Sequence, residues 1–220
     1  MAKKALLVID MAKDFLLSEY NPNLALQRAL SLVPRIRLLQ EAFMEARSPV
    51  IYATDRHLEK DYELKKWGPH AMKGTEGSEI VDGLLKQGVY VLERDWKQSD
   101  IERIPDGQLL FDVEKGTYSS FTDNGGKPTA LDSLLKKLHF EPGDRLYVTG
   151  VHTNCCDKHT SADAWFRGYL PVIVTDCVAA FDDTDGSMGM SHEQALRYER
   201  FWYEAELTTS EEALAALDLD

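Results

Sequence analysis

A chain of 220 residues, 44% apolar and 28% charged, is long enough for one sizeable hydrophobic core, and its composition is neither that of a disordered chain nor that of a disulfide scaffold. One domain spanning 1–220 is therefore expected. With 37 acidic against 25 basic residues the net charge is −12, the wrong sign for nucleic-acid binding. Apolar runs such as Ala5 to Ile9 and Leu170 to Val174 fall far below the roughly 18 residues of a membrane span. Three cysteines, two of them adjacent, form no disulfide framework, so a cytoplasmic home is expected.

KALLVID, ending at Asp10, is a nearly continuous apolar run, too short for a signal-peptide core and suited to a strand buried on both faces of a parallel sheet. Apolar residues at three- and four-residue spacing predict a helix from Leu24 to Ala46, capped by Asn23 and bent at Pro34. Further strands are predicted at 49–55, 89–94, 145–151 and 170–176, with a short sixth near 205–209. Helices are predicted at 79–86, 129–138, 155–167, 192–203 and 210–217. Strand followed by helix, repeated, predicts an α/β fold: a three-layer α/β/α sandwich around a mainly parallel, about six-stranded sheet. Two stretches, 56–78 and 95–128, break the alternation, and long loops in a compact domain are usually functional.

Ligands of open α/β sheets bind beyond the carboxyl ends of the strands. Asp10, Asp55 and Asp176 end predicted strands, and Cys156 follows the strand that ends at Gly150-Val151. Each aspartate alone reads as a cap or a turn, and convergence is what singles them out. Cys156, on a strand-to-helix turn, has the position of a nucleophile whose thiol pKa the helix N-terminus would lower. Cys177, embedded in TDCVAAF, suits packing, and Cys155 a packing or side role.

Three segments taken together, LLVIDMAKDF, EKGTYSSF and VTGVHTNCCDKHTSADAWFRGY, resemble the signatures of the isochorismatase-like cysteine hydrolases. The resemblance runs over nearly the whole chain. It implies a catalytic trio of Asp10, Lys115 and Cys156, a cis peptide before His152, and an oxyanion hole made by the backbone amides of His152 and Cys156. The chemistry is coherent by itself: a thiol attacking an amide needs a base, Asp10, and a nearby cation, Lys115, which would also share in holding the developing charge. True isochorismatases, which lack the nucleophilic cysteine, are disfavoured by Cys156.

Asp55, His57 and His70 offer oxygen and nitrogen ligands suited to Zn, Mn or Fe, although such histidines taken alone are more often surface groups. Their segment resembles the metal loop of nicotinamidases. That resemblance implies Glu63 as a fourth ligand, with Phe15 and Trp67 as aromatic walls around a pyridine ring; for these two, core packing is an equal reading. Ala12, Lys13 and Asp157 depart from the family pattern, and His159 receives no role. Gly125 to Pro128 is not a P-loop and no GxGxxG is present, so no organic cofactor is expected. The expected activity is metal-dependent hydrolysis of nicotinamide or pyrazinamide-like amides through a thioester, by a homo-oligomer whose partner is a small-molecule amide. The alternatives are an amidohydrolase of carbamoyl or ureido compounds and a non-catalytic thiol-redox or binding module.

Overall fold

The computed structural model describes residues 2–182 and 189–217. Its strands in chain order are Lys4–Ile9 (β1), Val50–Asp55 (β2), Tyr90–Leu92 (β3), Leu110–Lys115 (β4), Thr122–Asp123 (β5), Lys127–Pro128 (β6), Arg145–Val151 (β7), Leu170–Ala179 (β8) and Glu206–Thr208 (β9). The helices are Lys13–Leu16 (α1), Val33–Glu45 (α2), Leu64–Trp67 (α3), Gln98–Glu102 (α4), Leu131–Lys137 (α5), Lys158–Phe166 (α6), His192–Trp202 (α7) and Ser210–Leu217 (α8). Seven strands form one sheet in the order β3-β4-β2-β1-β7-β8-β9, and each neighbouring pair is parallel. The fifth and sixth strands form a separate antiparallel pair.

Alternation along β1 explains its continuous apolar run. Leu6 and Val8 pack on one face of the sheet with Ile36, Phe43 and Tyr52, while Ala5, Leu7 and Ile9 pack on the other with Val113, Leu134 and Val148. Both faces are covered, as a parallel sheet requires. From β1 the chain builds outward through β2 toward β3, then crosses to the other side of β1 to lay down β7. The strand order thus reverses between β1 and β7, and the crevice at that switch point opens above Asp10 and the segment after Val151.

Several predicted elements differ. The fold carries a seventh strand in the main sheet, β4, inside a stretch read as irregular. Its Asp112 and Glu114 make it look polar, but Asp112 is satisfied by Thr54 Oγ1 at 2.8 Å and by Arg56 at 3.1 Å, and Glu114 by Lys73 at 2.7 Å. The predicted helix at 79–86 does not form: Ile80 bridges Ala12 in antiparallel fashion, Val81 donates to the Met11 carbonyl, and Gly83 lies at φ +94°, outside helical space. The helix predicted from Leu24 begins as a 3-10 turn at Gln27–Leu32 without a cap from Asn23, and Pro34 sits in the first turn of α2, where its missing N–H costs nothing, rather than bending a longer helix. β8 runs on past Asp176, whose carboxylate accepts the N–H and Oγ–H of Ser210 at 2.7 and 2.6 Å. Asp176 therefore caps α8 and lies off the crevice. Among the described residues, no helix is long and apolar enough to cross a membrane.

Candidate active site

The parallel register places Asp55, the last residue of β2, directly beside Lys115, the last of β4. Asp10 follows β1 at φ +49°, a left-handed conformation that costs a non-glycine residue roughly 1 kcal/mol or more and that turns its carboxylate inward. Asp10 Oδ1 accepts the Asp55 N–H at 2.9 Å. Lys115 is fully buried, and its ammonium donates to Asp10 Oδ2 at 2.7 Å, Asp55 Oδ1 at 2.8 Å and the Thr117 carbonyl at 3.2 Å. All three of its donors are thus used. Lys115 is a fixed charge that orients two carboxylates, and no N–H remains to bond a developing oxyanion, contrary to the sharing expected from sequence.

The Val151–His152 peptide is cis. The chain then enters a π-helical turn, Thr153–Asp157, ahead of α6, so Cys156 lies within a π turn rather than at the first residue of an α-helix. Cys156 is buried, and single donor atoms of Asp10, Asp55 and Cys156 lie within 4.8 Å of one another. Three groups of the sequence-expected trio, Asp10, Lys115 and Cys156, are brought together.

Their electrostatics differ from the lowered thiol expected at Cys156. Hydrogen bonding to Cys155, burial and the Asp10 carboxylate raise the Cys156 thiol, outweighing the pull of Lys115. Burial and the neighbouring Asp55 raise Asp10 to about 7 against the pull of Lys115. Burial also opposes ionisation of Asp55, but Lys115 and His57 hold that carboxylate well below its usual range. For Lys115 burial disfavours the charge, and the two aspartates more than restore it, so the ammonium persists. The site at rest is therefore a neutral Cys156 thiol beside a base poised near neutrality. Its neighbour Cys155 is the more acidic thiol, lowered to about 6 by its hydrogen bond to Cys156 and by His159.

A second cluster adjoins the trio. Donor atoms of Asp55, His57, Glu63 and His70 lie within 4.8 Å of one another. His57 Nδ1 faces Asp61 Oδ2 at 3.0 Å and His70 Nδ1 faces the Gly68 carbonyl at 2.8 Å. Both partners are acceptors only, so each Nδ1 carries a proton, and the Nε2 atoms point into the cluster. There His57 Nε2, Asp55 Oδ2 and Glu63 Oε2 are buried without hydrogen-bond partners. Burial opposes a charge on His57, yet Asp55 and Asp61 raise it to about 9, so this corner favours positive charge. Two imidazoles and two carboxylates with unsatisfied buried atoms fit a divalent transition metal.

A cavity of about 60 Å³ joins the two clusters, with Cys156 and Cys155 on one side and Glu63 and His70 on another. Phe15 stands edge-on to His70 and His152 at centroid distances of 5.5 and 6.3 Å. Trp67 donates its indole N–H to the Tyr118 hydroxyl at 3.1 Å, and His152 stacks on Phe181 at 4.7 Å. Burial lowers His152 to about 4, keeping it neutral. Phe15 and Trp67 are thus walls of the cavity. The sequence reading missed Leu24, Tyr118, Phe181 and the exposure of Cys155 to it. Tyr118 stood inside the EKGTYSSF motif, and Phe181 follows β8 at the carboxyl edge of the sheet, which is the signal that would have found them.

Asp157 points elsewhere. Both of its carboxylate oxygens are buried without partners, as are those of Glu199 on α7 and the Ser161 hydroxyl on α6. Burial and then the Glu199 carboxyl push Asp157 far up, and burial raises Glu199 to about 8. His159, outside the trio, holds the Cys155 carbonyl through Nδ1 at 2.7 Å.

The isochorismatase domain model matches residues 4–100 and 101–212. An uncharacterised isochorismatase family protein, PncA of Bacillus subtilis, is 29% identical over 86% of this chain and 93% of its own length. The crystal structure of N-carbamoylsarcosine amidase from Thermoplasma acidophilum superposes with a TM-score of 0.70 at 30% identity, covering 95% of this chain and 97% of that one. That of nicotinamidase PncA from B. subtilis gives 0.67 at 27% identity, covering 94% and 99%. With the family model spanning almost the whole chain and both solved folds matching end to end, this protein is a member of the isochorismatase family.

Proposed function

We propose that this protein is a metal-containing cysteine amidohydrolase that hydrolyses an uncharged aromatic carboxamide of the nicotinamide type to the acid and ammonia through a thioester. The observation that carries this reading is the cavity. Aromatic side chains wall it, Cys156 and the His70–Glu63 edge of the metal corner border it, and among the described residues no Lys or Arg lines it. A neutral heteroaromatic ring finds flat apolar contact against Phe15, Trp67 and Phe181 there.

In this mechanism Asp10 takes the Cys156 proton as the sulfur attacks the amide carbon. The carbonyl oxygen becomes an oxyanion held by the backbone amides of His152 and Cys156. Asp10 then protonates the departing nitrogen, ammonia leaves, and the acyl group stays on Cys156. Asp10 next takes a proton from water, which attacks the thioester; the C–S bond breaks, the acid leaves, and the Cys156 sulfur takes the proton back from Asp10. Lys115 keeps the Asp10 carboxylate aimed at the sulfur and stabilises its ionised form. Asp55, His57, Glu63 and His70 would hold the metal, which when bound supplies a Lewis-acidic contact for a ring nitrogen or a water at the far side of the cavity.

The test is ammonia release from nicotinamide by purified protein loaded with Zn, Mn or Fe, compared with release from N-carbamoylsarcosine. Similarity to N-carbamoylsarcosine amidase at 30% identity makes the carbamoyl compound the second reading. Turnover of the carbamoyl acid alone would replace the first reading with the second.

A further inference from the structure

The metal corner has an outer layer. Asp61 Oδ2 accepts from His57 Nδ1 at 3.0 Å, from the Leu58 N–H at 2.9 Å and from Arg94 Nη1 at 2.6 Å, while Arg94 Nη2 donates to Asp61 Oδ1 at 3.1 Å. The other edge of the guanidinium donates to Asp123, through Nε and Nη2, both at 2.9 Å. Its Nη1 also reaches the Arg56 carbonyl at 3.2 Å. One planar fork thus spans two carboxylates, from the metal loop and from β5, a geometry that lysine cannot reproduce. Asp61 and Arg94 are 6% and 9% exposed at their side chains, so the arrangement is shielded from water.

Gly116 explains how the guanidinium fits. A Cβ at this position would overlap the Arg94 guanidinium. The Lys115-Gly116 pair therefore serves two places at once: the lysine reaches into the trio, and the glycine leaves room for Arg94 behind the metal loop. Asn124 donates to the Gly116 carbonyl from the same hairpin that supplies Asp123. A simple tie between loops needs no histidine at its end. Here the chain of contacts terminates on a ring whose opposite nitrogen is buried, unpartnered and aimed among three other ligand candidates.

We propose that Asp61 and Arg94 are positioning residues for the metal corner: Asp61 fixes the His57 ring through Nδ1, and Arg94, seated over Gly116 and anchored by Asp123, fixes Asp61. The pair sets how tightly Asp55, His57, Glu63 and His70 hold a divalent transition metal. This inference rests on the metal reading above. Outer-layer carboxylates of metal-bound histidines are worth roughly 10–100-fold in affinity, and that range is the expected effect.

The experiment titrates zinc into metal-free protein against a chromophoric chelator and records the cobalt absorption band and the melting temperature of each metal-free variant. Asp61→Asn keeps an acceptor but loses the charge and the fork, and is expected to weaken zinc about 10-fold; Asp61→Ala is expected to weaken it about 100-fold. Arg94→Lys and Gly116→Ala, which unseat the fork without touching a ligand, are each expected to weaken zinc about 10-fold and to shift the cobalt band. Gly116→Ala keeps the test open if Arg94→Lys does not fold. Variants that melt earlier yet bind zinc as tightly as the parent would overturn the inference and leave the metal reading standing. A parent protein that binds neither zinc nor cobalt would overturn the metal reading itself, and the inference with it.

Discussion

Glu199→Gln offers a direct reading of what the buried acids cost the fold. The carboxyl is fully buried on α7, its oxygens have no hydrogen-bond partner, and the cation whose charge acts on it, Lys158, holds its ammonium over the Tyr198 ring at 5.6 Å. Burial lifts Glu199 from an ordinary 4.5 to about 8. The folded protein therefore retains a proton that the unfolded chain releases above pH 4.5. The associated stability is fully present below pH 4.5 and is lost progressively as pH rises to about 8. At about 1.4 kcal/mol for each pH decade the loss approaches ~5 kcal/mol, a large share of the ~5–15 kcal/mol typical of a domain. Glutamine preserves the shape and removes the titration. Urea unfolding of both proteins at pH 5, 6, 7 and 8 should show the variant gaining on the parent with every step, by several kcal/mol at pH 8. Asp157 contributes a slope of the same sign to both proteins, and because the Glu199 carboxyl also pushes Asp157 up, the difference reads the two acids as a pair. Stability curves that stay parallel from pH 5 to 8 would refute the reasoning, because they would mean that Glu199 is ionised and solvated in the fold.

The remaining predictions concern the site. Lys115→Met strips the ammonium shared by the buried carboxylates of Asp10 and Asp55 and should destabilise the protein by about 3–5 kcal/mol while nearly abolishing turnover, read from urea unfolding and ammonia release; a stable and active variant contradicts the fixed-charge role. Asp10, raised to about 7, must be ionised to accept the Cys156 proton, so kcat/KM should fall as pH drops through about 7, and an acid limb near pH 4 would show an unperturbed carboxylate. In the free protein iodoacetamide should modify Cys155 before Cys156, with a rate that rises through pH 6, mapped by peptide mass; preferential labelling of Cys156 would invert the assignment of the two thiols. Cys156→Ala should abolish amide hydrolysis while Cys155→Ala and Cys177→Ala keep most of it, since Cys156 alone of the three adjoins Asp10 and Lys115, and equal loss from Cys155→Ala would move the nucleophile by one residue.

Residues that act through strand position were legible in the sequence. Asp10, Asp55 and Cys156 could be placed at one edge of the sheet because continuous apolar runs end just before them, and a parallel sheet gathers those ends. Asp176 fails the same rule because β8 shifts register opposite Val148 and Gly150 and carries the chain three residues beyond it. LLFDV ahead of Lys115 has a strand-like pattern, but the fourth strand was not counted in the predicted sheet, because its charged residues are satisfied by partners from β2 and the loop after it that no local pattern announces. Helix 79–86 was expected from the alternation of strands and helices, but pairing with Ala12 and Met11 wins over local helical preference. The raised Cys156 thiol also lay beyond sequence reach: a helix start argues for a lowered pKa, and only the packed arrangement shows two carboxylates and a second thiol around the sulfur. Arg94 and Gly116, 22 residues apart in sequence, meet only through the fold.

The central claim, an acyl-enzyme on Cys156, is tested most directly by intact-mass spectrometry of metal-loaded protein quenched in acid during turnover of nicotinamide. A fraction of protein heavier by one nicotinoyl group is expected, located by peptide mapping to the segment around Cys156 and absent from Cys156→Ala. Steady ammonia release with no adduct on any cysteine, undiminished in Cys156→Ala, would contradict it.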